Sequence, residues 1–257
     1  AGIALLDGPD GRDTNPAIAS LGDGLVVAWV TEHLGPKLYA QRLTGEGAAM
    51  SDPVLVSEHA DEWVGPVLLP GPGGPFAAWV TEDGGQRGLF HAILGGDLLP
   101  LGDPVHLPWI LSGLEQIAAI GHRGRNIMAW PSDLHSLEGL YWAEVPPAET
   151  PIHMLAEKGN EVDLFGWETG FAAVWRAGDA GASVSRGVAY LQTFDQDGHP
   201  LSAAQAAGQH TPTLYSPRVA FLGGQILVTW IEQDDHSAHA PRRLMAAQFH
   251  ENGRRLG

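Results

Sequence analysis

The chain contains no cysteine among its 257 residues. This absence excludes disulfide bonds, thiolate metal sites and cysteine nucleophiles. Long apolar runs are absent as well, and none approaches the ~18–20 residues that a membrane-spanning helix needs. No transmembrane segment is therefore predicted.

Positive charge is scarce, because 14 Lys and Arg residues stand against 30 Asp and Glu residues, for a formal net charge of −16. Nucleic acid is excluded as a partner, since binding to phosphate needs a basic surface. Anionic membrane surfaces are disfavoured for the same reason. A metal ion, a small molecule, a glycan or another protein remains open as a partner.

Methionine is missing from the first position: the chain begins at Ala1, and the first methionine is Met50. Such a start suits a mature protein after removal of a signal peptide, although a trimmed segment would begin in the same way. We therefore expect a secreted, periplasmic or cell-surface location.

Turn-forming residues, by contrast, are abundant, with 34 Gly and 19 Pro. The chain also repeats itself. The octamer LVVAWVTE at 25–32 returns as PFAAWVTE at 75–82, and weaker copies follow at intervals of roughly 50 residues. Each copy is an apolar run that ends near a tryptophan, and these anchor tryptophans are Trp29, Trp79, Trp130, Trp175 and Trp230.

Every repeat predicts four short antiparallel strands, because a strand and a Gly-rich turn precede the anchor and further strands follow it. The pattern predicts an all-β fold, a five-bladed β-propeller in a single domain, 1–257. The expected blades cover 15–57, 65–108, 115–155, 161–207 and 216–257. The last blade lacks a fourth strand, so we expect residues 1–7 to supply it and close the ring.

The first repeat, NPAIASLGDGLVVAWV followed by LYAQRLTGEG, resembles the repeats of bacterial secreted β-propellers. The resemblance implies a propeller fold and an exported location. It implies no catalytic residues, since such repeats serve binding and adhesion as well as catalysis.

A first candidate site is the long loop 231–243, where imidazole and carboxylate side chains are concentrated. These groups bind Zn²⁺ or Cu²⁺ without thiolates. The predicted ligands are Glu232, Asp234, Asp235, His236 and His239, with His33 from the neighbouring blade. A solvated polar loop is the alternative interpretation. A second cation candidate, for Ca²⁺, is the Asp-rich stretch from Asp7 to Asp13.

A second candidate site lies on the predicted innermost strands. Asp163 and Arg218 occupy equivalent positions in neighbouring blades and are expected to form an ion pair, with Glu161 two residues before Asp163. The pair locks the ring or recognises a ligand. Trp63, in a connection between blades, is a candidate for stacking on a sugar ring.

Three functions follow from these patterns. The leading interpretation is a non-catalytic extracellular binding protein with a divalent cation on its acidic, histidine-bearing face. The alternatives are a lectin-like glycan-binding propeller and a glycoside hydrolase, which needs a pair of carboxyl groups. The hydrolase is less favoured because both innermost acids, Glu161 and Asp163, come from one blade.

Overall fold

A computed structural model describes residues 13–32, 35–61, 63–71, 73–83, 86–110, 116–132, 139–145, 151–178, 187–208, 213–233 and 240–256. The described residues form 19 strands and no helix. The strands are β1 (Asp13–Leu21), β2 (Gly24–Thr31), β3 (Lys37–Thr44), β4 (Val54–Ser57), β5 (Val67–Leu69), β6 (Phe76–Asp83), β7 (Gln86–Ile93), β8 (Val105–Ile110), β9 (Ala118–His122), β10 (Arg125–Ser132), β11 (Gly139–Val145), β12 (His153–Ala156), β13 (Asn160–Trp167), β14 (Gly170–Gly178), β15 (Gly187–Asp195), β16 (Gln205–Ala206), β17 (Thr213–Leu222), β18 (Gln225–Gln233) and β19 (Arg242–His250). None of the described residues belongs to a helix that could cross a membrane.

The strands form five antiparallel sheets in chain order. Four sheets have four strands, in the orders β1-β2-β3-β4, β5-β6-β7-β8, β12-β11-β10-β9 and β13-β14-β15-β16. The fifth contains β17-β18-β19 within the described residues. The prediction of an all-β, five-bladed propeller is thereby confirmed. The predicted closing strand, residues 1–7, lies outside the described residues.

The second strand of each sheet is the apolar run that carries the anchor tryptophan. Both faces of this strand are buried in β2, where every residue from Val26 to Thr31 is buried, and the same holds for β10 from Ile127 to Ser132. In β18, by contrast, buried residues alternate with half-buried ones. Two buried faces explain a continuous apolar run without alternation. The anchor tryptophans are each 2% exposed and fill the core. The repeated tryptophan is therefore a packing residue.

The chain divides into two compact units, Ala1–Gly124 and Arg125–Gly257. The core of the first unit includes Val26, Trp79 and Leu94. The core of the second includes Leu191 and Trp230. The boundary falls between β9 and β10, and the assignment of one domain to residues 1–257 stays a prediction.

Three of the first strands, β1, β13 and β17, share an irregularity near their starts. Their register shifts between Thr14 and Ala17, Asn160 and Asp163, and Tyr215 and Arg218. Inside each shift one residue has a positive φ: Asn15 at 52°, Glu161 at 50° and Ser216 at 49°. A residue other than glycine seldom adopts this left-handed conformation. Bulges of this kind change the direction of a side chain, and they recur near functional sites.

Two anchor tryptophans offer a matched test of the core. The indole Nε1 of Trp175 has no hydrogen-bond acceptor among the described residues, whereas that of Trp230 donates to Glu232 Oε1 at 2.9 Å. Phenylalanine at either position removes the same volume. In W230F, however, the buried Glu232 carboxylate also loses its donor, a loss of about 1–3 kcal/mol.

We therefore expect W230F to lower the free energy of unfolding by more than W175F does. Chemical denaturation of both variants beside the wild type measures the difference. Equal losses would show that the Trp230–Glu232 hydrogen bond contributes nothing to stability.

Candidate functional site

The candidate site lies in the second unit, where β13 and β17 lie against each other. Strand β13 contributes Glu161 and Asp163, and β17 contributes Ser216 and Arg218. The bulges described above place the left-handed residues Glu161 and Ser216 at the starts of these strands. Carboxyl and guanidinium groups are thus concentrated along the junction of two sheets.

Glu161 is held through both carboxylate oxygens. Its Oε1 accepts a hydrogen bond from Arg176 Nη1 at 2.6 Å, and its Oε2 accepts one from the backbone N–H of Ser216. The Glu161 side chain is 26% exposed, while that of Arg176 is 11% exposed. The carboxylate is therefore fixed in place and its charge is compensated, yet part of it still faces solvent.

Asp163 has a different environment from Glu161. It is half-buried, and its Oδ2 accepts the backbone N–H of Val219 at 3.0 Å. Burial raises the pKa of the Asp163 carboxyl, and this outweighs the hydrogen bond from Val219, the charge of Arg218 and a hydrogen bond from Leu164. The neutral form of Asp163 is consequently more favoured than in an exposed aspartate.

Arg218 interacts electrostatically with Asp163, because the positive charge of Arg218 acts to lower the pKa of the Asp163 carboxyl. Its side chain is exposed, and Nη1 donates to the Pro217 carbonyl oxygen at 2.9 Å. The interaction between Asp163 and Arg218 is attractive, as expected from the sequence. A direct ion pair between Asp163 and Arg218 stays a prediction.

Trp63 lies in the first unit and is 61% exposed. The turn that carries it is fixed, because Asp61 Oδ1 accepts the backbone N–H groups of Trp63 and Val64 at 2.8 and 3.0 Å. Asp61 itself is buried. The structure thus presents a large aromatic side chain to solvent on a rigid support, as a sugar-stacking residue requires.

Most of the predicted cation site lies outside the described residues. This applies to His33, Asp234, Asp235, His236 and His239, and also to the stretch from Asp7 to Arg12. Of the predicted zinc or copper ligands only Glu232 is described, and its buried carboxylate accepts a hydrogen bond from Trp230 Nε1. Of the predicted calcium-binding stretch only Asp13, the first residue of β1, is described. The assignments of zinc, copper or calcium stay predictions.

A carboxylate and histidine group that sequence analysis did not single out occurs in the turn after β15. Potential ligand atoms of Asp195, Asp197 and His199 lie within 4.8 Å of one another. The turn explains their proximity, because Asp195 Oδ1 accepts the backbone N–H groups of Asp197 and His199 at 2.9 and 2.8 Å. We therefore interpret these three residues as part of the hairpin turn that follows β15.

Arg176 was also missed by sequence analysis, although a signal was present. It directly follows the anchor Trp175, a position that Val, Pro or Ile occupies in the other four repeats. A cation at the end of a buried apolar strand needs a partner, and this requirement indicates a nearby carboxylate.

Comparison with solved structures places these features in context. The chain is similar in structure to an α-L-arabinofuranosidase from Lactobacillus brevis, with a TM-score of 0.53 and 10% identity over 95% of this chain and 93% of that one. A GH43 endo-arabinanase from Bacillus licheniformis aligns with a TM-score of 0.46 and 9% identity over 96% of this chain and 99% of that one. Neither a protein-family model nor a curated protein sequence matches the chain. At such identities the likeness to the arabinofuranosidase shows a shared fold.

The leading prediction of a non-catalytic binding protein is contradicted, since an α-L-arabinofuranosidase, an enzyme that hydrolyses glycosides, shares its fold with this chain over 95% of the chain's length. The prediction rested on the small number of innermost acids and on their origin in one blade. Glu161 and Asp163, however, have distinct environments on a single strand, and a hydrolase requires only one such pair. The hydrolase alternative is therefore better supported.

The raised pKa of Asp163 has a consequence for stability. Because the pKa of Asp163 is higher in the folded than in the unfolded protein, its ionisation destabilises the folded state. The penalty is absent below the unfolded pKa, grows as pH rises from the unfolded to the folded pKa, and is complete above the folded pKa. D163N removes the charge and keeps an oxygen that can accept the Val219 N–H. D163A removes both the charge and the acceptor.

We expect D163N to unfold at a higher temperature than the wild type at pH 7, with the difference disappearing near about pH 3. D163A should be less stable than D163N at both pH values, by about 1–3 kcal/mol, because the Val219 N–H loses its acceptor. Thermal unfolding at the two pH values measures both effects. A wild type more stable than D163N at pH 7 would show that the charge of Asp163 is favourable in the folded protein.

The interaction between Asp163 and Arg218 is testable by a double-mutant cycle. R218M should destabilise the protein at pH 7 by about 0.2–1 kcal/mol when Asp163 is present, a small value because Arg218 is exposed. In the D163N background R218M should have almost no effect. Identical losses in the two backgrounds would mean that the two charges do not interact.

Proposed function

We propose that the protein is a glycoside hydrolase that acts on a neutral glycan with pentose units of the arabinofuranoside or xyloside type. The proposal rests on one observation: the carboxyl groups of Glu161 and Asp163 lie two residues apart at the start of β13 and have different environments. Arg176 compensates the charge of Glu161, whereas burial raises the pKa of Asp163. Pairs of carboxyl groups with divergent environments divide acid and base roles between them.

The two carboxyl groups divide the chemistry as follows. Asp163, whose pKa burial raises, donates its proton to the glycosidic oxygen while the bond from that oxygen to the anomeric carbon breaks. The leaving oxygen keeps the electron pair of this bond. Glu161, whose negative charge Arg176 compensates, supplies the carboxylate that activates the incoming water or attacks the anomeric carbon.

The substrate class is supported by the shared fold and by charge. An α-L-arabinofuranosidase has the same fold as this chain. The formal net charge of −16 disfavours polyanionic glycans, because like charges repel at the surface. Polysaccharides of this kind occur outside the cytoplasm, so the proposal includes an extracellular, periplasmic or cell-surface location.

A second candidate function is glycan binding without hydrolysis, and the exposed Trp63 favours it. Trp63 is 61% exposed on a turn held by Asp61, and its indole offers an apolar face to the ring of a sugar. The two functions therefore differ in turnover and not in the ligand class.

The decisive experiment measures hydrolysis of 4-nitrophenyl α-L-arabinofuranoside, 4-nitrophenyl β-xyloside and arabino-oligosaccharides. E161Q and D163N should each lower kcat about 10²–10⁴-fold, because each removes one proton-transfer group. E168Q is the matched control, since Glu168 is an exposed carboxylate at the opposite end of the same hairpin. It should retain the wild-type rate.

Calorimetry with arabino-oligosaccharides separates the two candidate functions. A wild type that binds them but cleaves none of the substrates, and that loses binding in W63A, supports the glycan-binding protein and overturns the hydrolase. A wild type that neither binds nor cleaves them contradicts both.

A further inference from the structure

The guanidinium of Arg176 connects the two strands of the candidate site. Arg176 lies on β14, yet its Nη1 reaches Glu161 Oε1 at 2.6 Å on β13 and the Leu214 carbonyl oxygen at 3.0 Å on β17. One nitrogen thus holds the carboxylate of one sheet and the backbone of the next. The contact fixes the position of Glu161 relative to β17.

We propose that Arg176 is a positioning residue that holds the Glu161 carboxylate in its working orientation, and that Gly187 provides the space that Arg176 occupies. This inference rests on the proposed hydrolase function. It assigns to Arg176 an action through Glu161 and no contact with the substrate.

The burial of Arg176 supports an indirect role. Its side chain is 11% exposed, whereas that of Glu161 is 26% exposed. The Nε of Arg176 is buried without a hydrogen-bond partner among the described residues, so the side chain retains an unsatisfied donor. An arginine is kept in such a place only when its other contacts compensate for the buried donor.

Gly187, the first residue of β15, bounds the space around the aliphatic part of Arg176. A Cβ atom at this position would lie 3.0 Å from Arg176 Cγ, 3.1 Å from its Cδ and 3.2 Å from Leu214 Cβ. Each distance is shorter than an ordinary van der Waals contact. Alanine at 187 would therefore require Arg176 to shift by a few tenths of an ångström, although no polar side chain is substituted.

Glu161 needs an external support because of its backbone. With a φ of 50° it lies in a bulge, where the strand ladder does not hold it. Without Arg176, the Ser216 N–H would be the one remaining donor to the carboxylate among the described residues, and none of these residues would compensate its charge. The side chain would then sample orientations that do not face the substrate, which lowers kcat more than it changes KM.

The kinetic test compares R176M, R176K and G187A with the wild type. R176M should lower kcat by about 10²-fold with KM changed by less than about threefold. R176K should recover at least about tenfold of that loss, because a single nitrogen makes both contacts and an ammonium can replace it. G187A should have a kcat between those of R176M and the wild type, and E168Q should match the wild type.

The dependence on Glu161 is tested by the double variant E161Q/R176M. If Arg176 acts through Glu161, the double variant should have the same residual rate as E161Q, because the group that Arg176 positions is already lost. Additive losses, an unchanged kcat in R176M, or equal rates in R176K and R176M would each overturn the inference.

A spectroscopic readout separates this inference from the proposed function. The proposed function fails if the wild type hydrolyses none of the glycosides. Independently of turnover, the ¹³C resonance of the Glu161 carboxyl carbon, assigned by comparison with E161Q, should be single and sharp in the wild type and shifted or broadened in R176M. An unchanged resonance in R176M would overturn the positioning role in an active or an inactive protein.

Discussion

The candidate site depends on hydrogen bonds between the first residues of β13 and the backbone of β17. The bulge at Glu161 turns its carboxylate towards β17, where the Ser216 N–H, itself part of a bulge, is available as a donor. Asp163 repeats the arrangement two residues later with the Val219 N–H. Two side chains of one sheet thus bind the backbone of its neighbour. The chemistry of the site and the attachment of the sheets rest on the same atoms.

Because Glu161 and Asp163 both form the site and join two sheets, their electrostatic environments follow from their position between the sheets. A carboxylate that joins two sheets must enter a region with little water, and there its charge needs compensation. Glu161 has Arg176 for this purpose, whereas burial raises the pKa of Asp163 despite the opposing charge of the exposed Arg218. The two acids therefore differ because Glu161 is paired with a buried cation on the adjacent strand, whereas burial dominates at Asp163.

Much of the fold could be predicted from the sequence, because the repeated apolar run around the anchor tryptophan fixes the period, and turn residues fix the strand ends. The site was harder to predict. Glu161 and Asp163 were identified from their register, but their hydrogen bonds to Ser216 and Val219 depend on bulges that leave no pattern in the repeat. Arg176 was missed because it stands at an apolar position. The leading prediction of a non-catalytic binding protein was wrong because it rested on the number of innermost acidic residues in each blade. The environments of these residues depend on the three-dimensional structure and leave no pattern in the sequence.

The equivalence of the bulges has an evolutionary consequence. Asn15, Glu161 and Ser216 share one backbone conformation, within a few degrees of φ, although their side chains are an amide, a carboxylate and a hydroxyl. Such a position accepts different chemistry without a change of backbone, since the strain of the left-handed conformation is already part of the fold. A single substitution at any of these three positions can therefore add an acidic group to one sheet or remove it from that sheet. The repeat keeps the architecture constant while its reactive groups diverge.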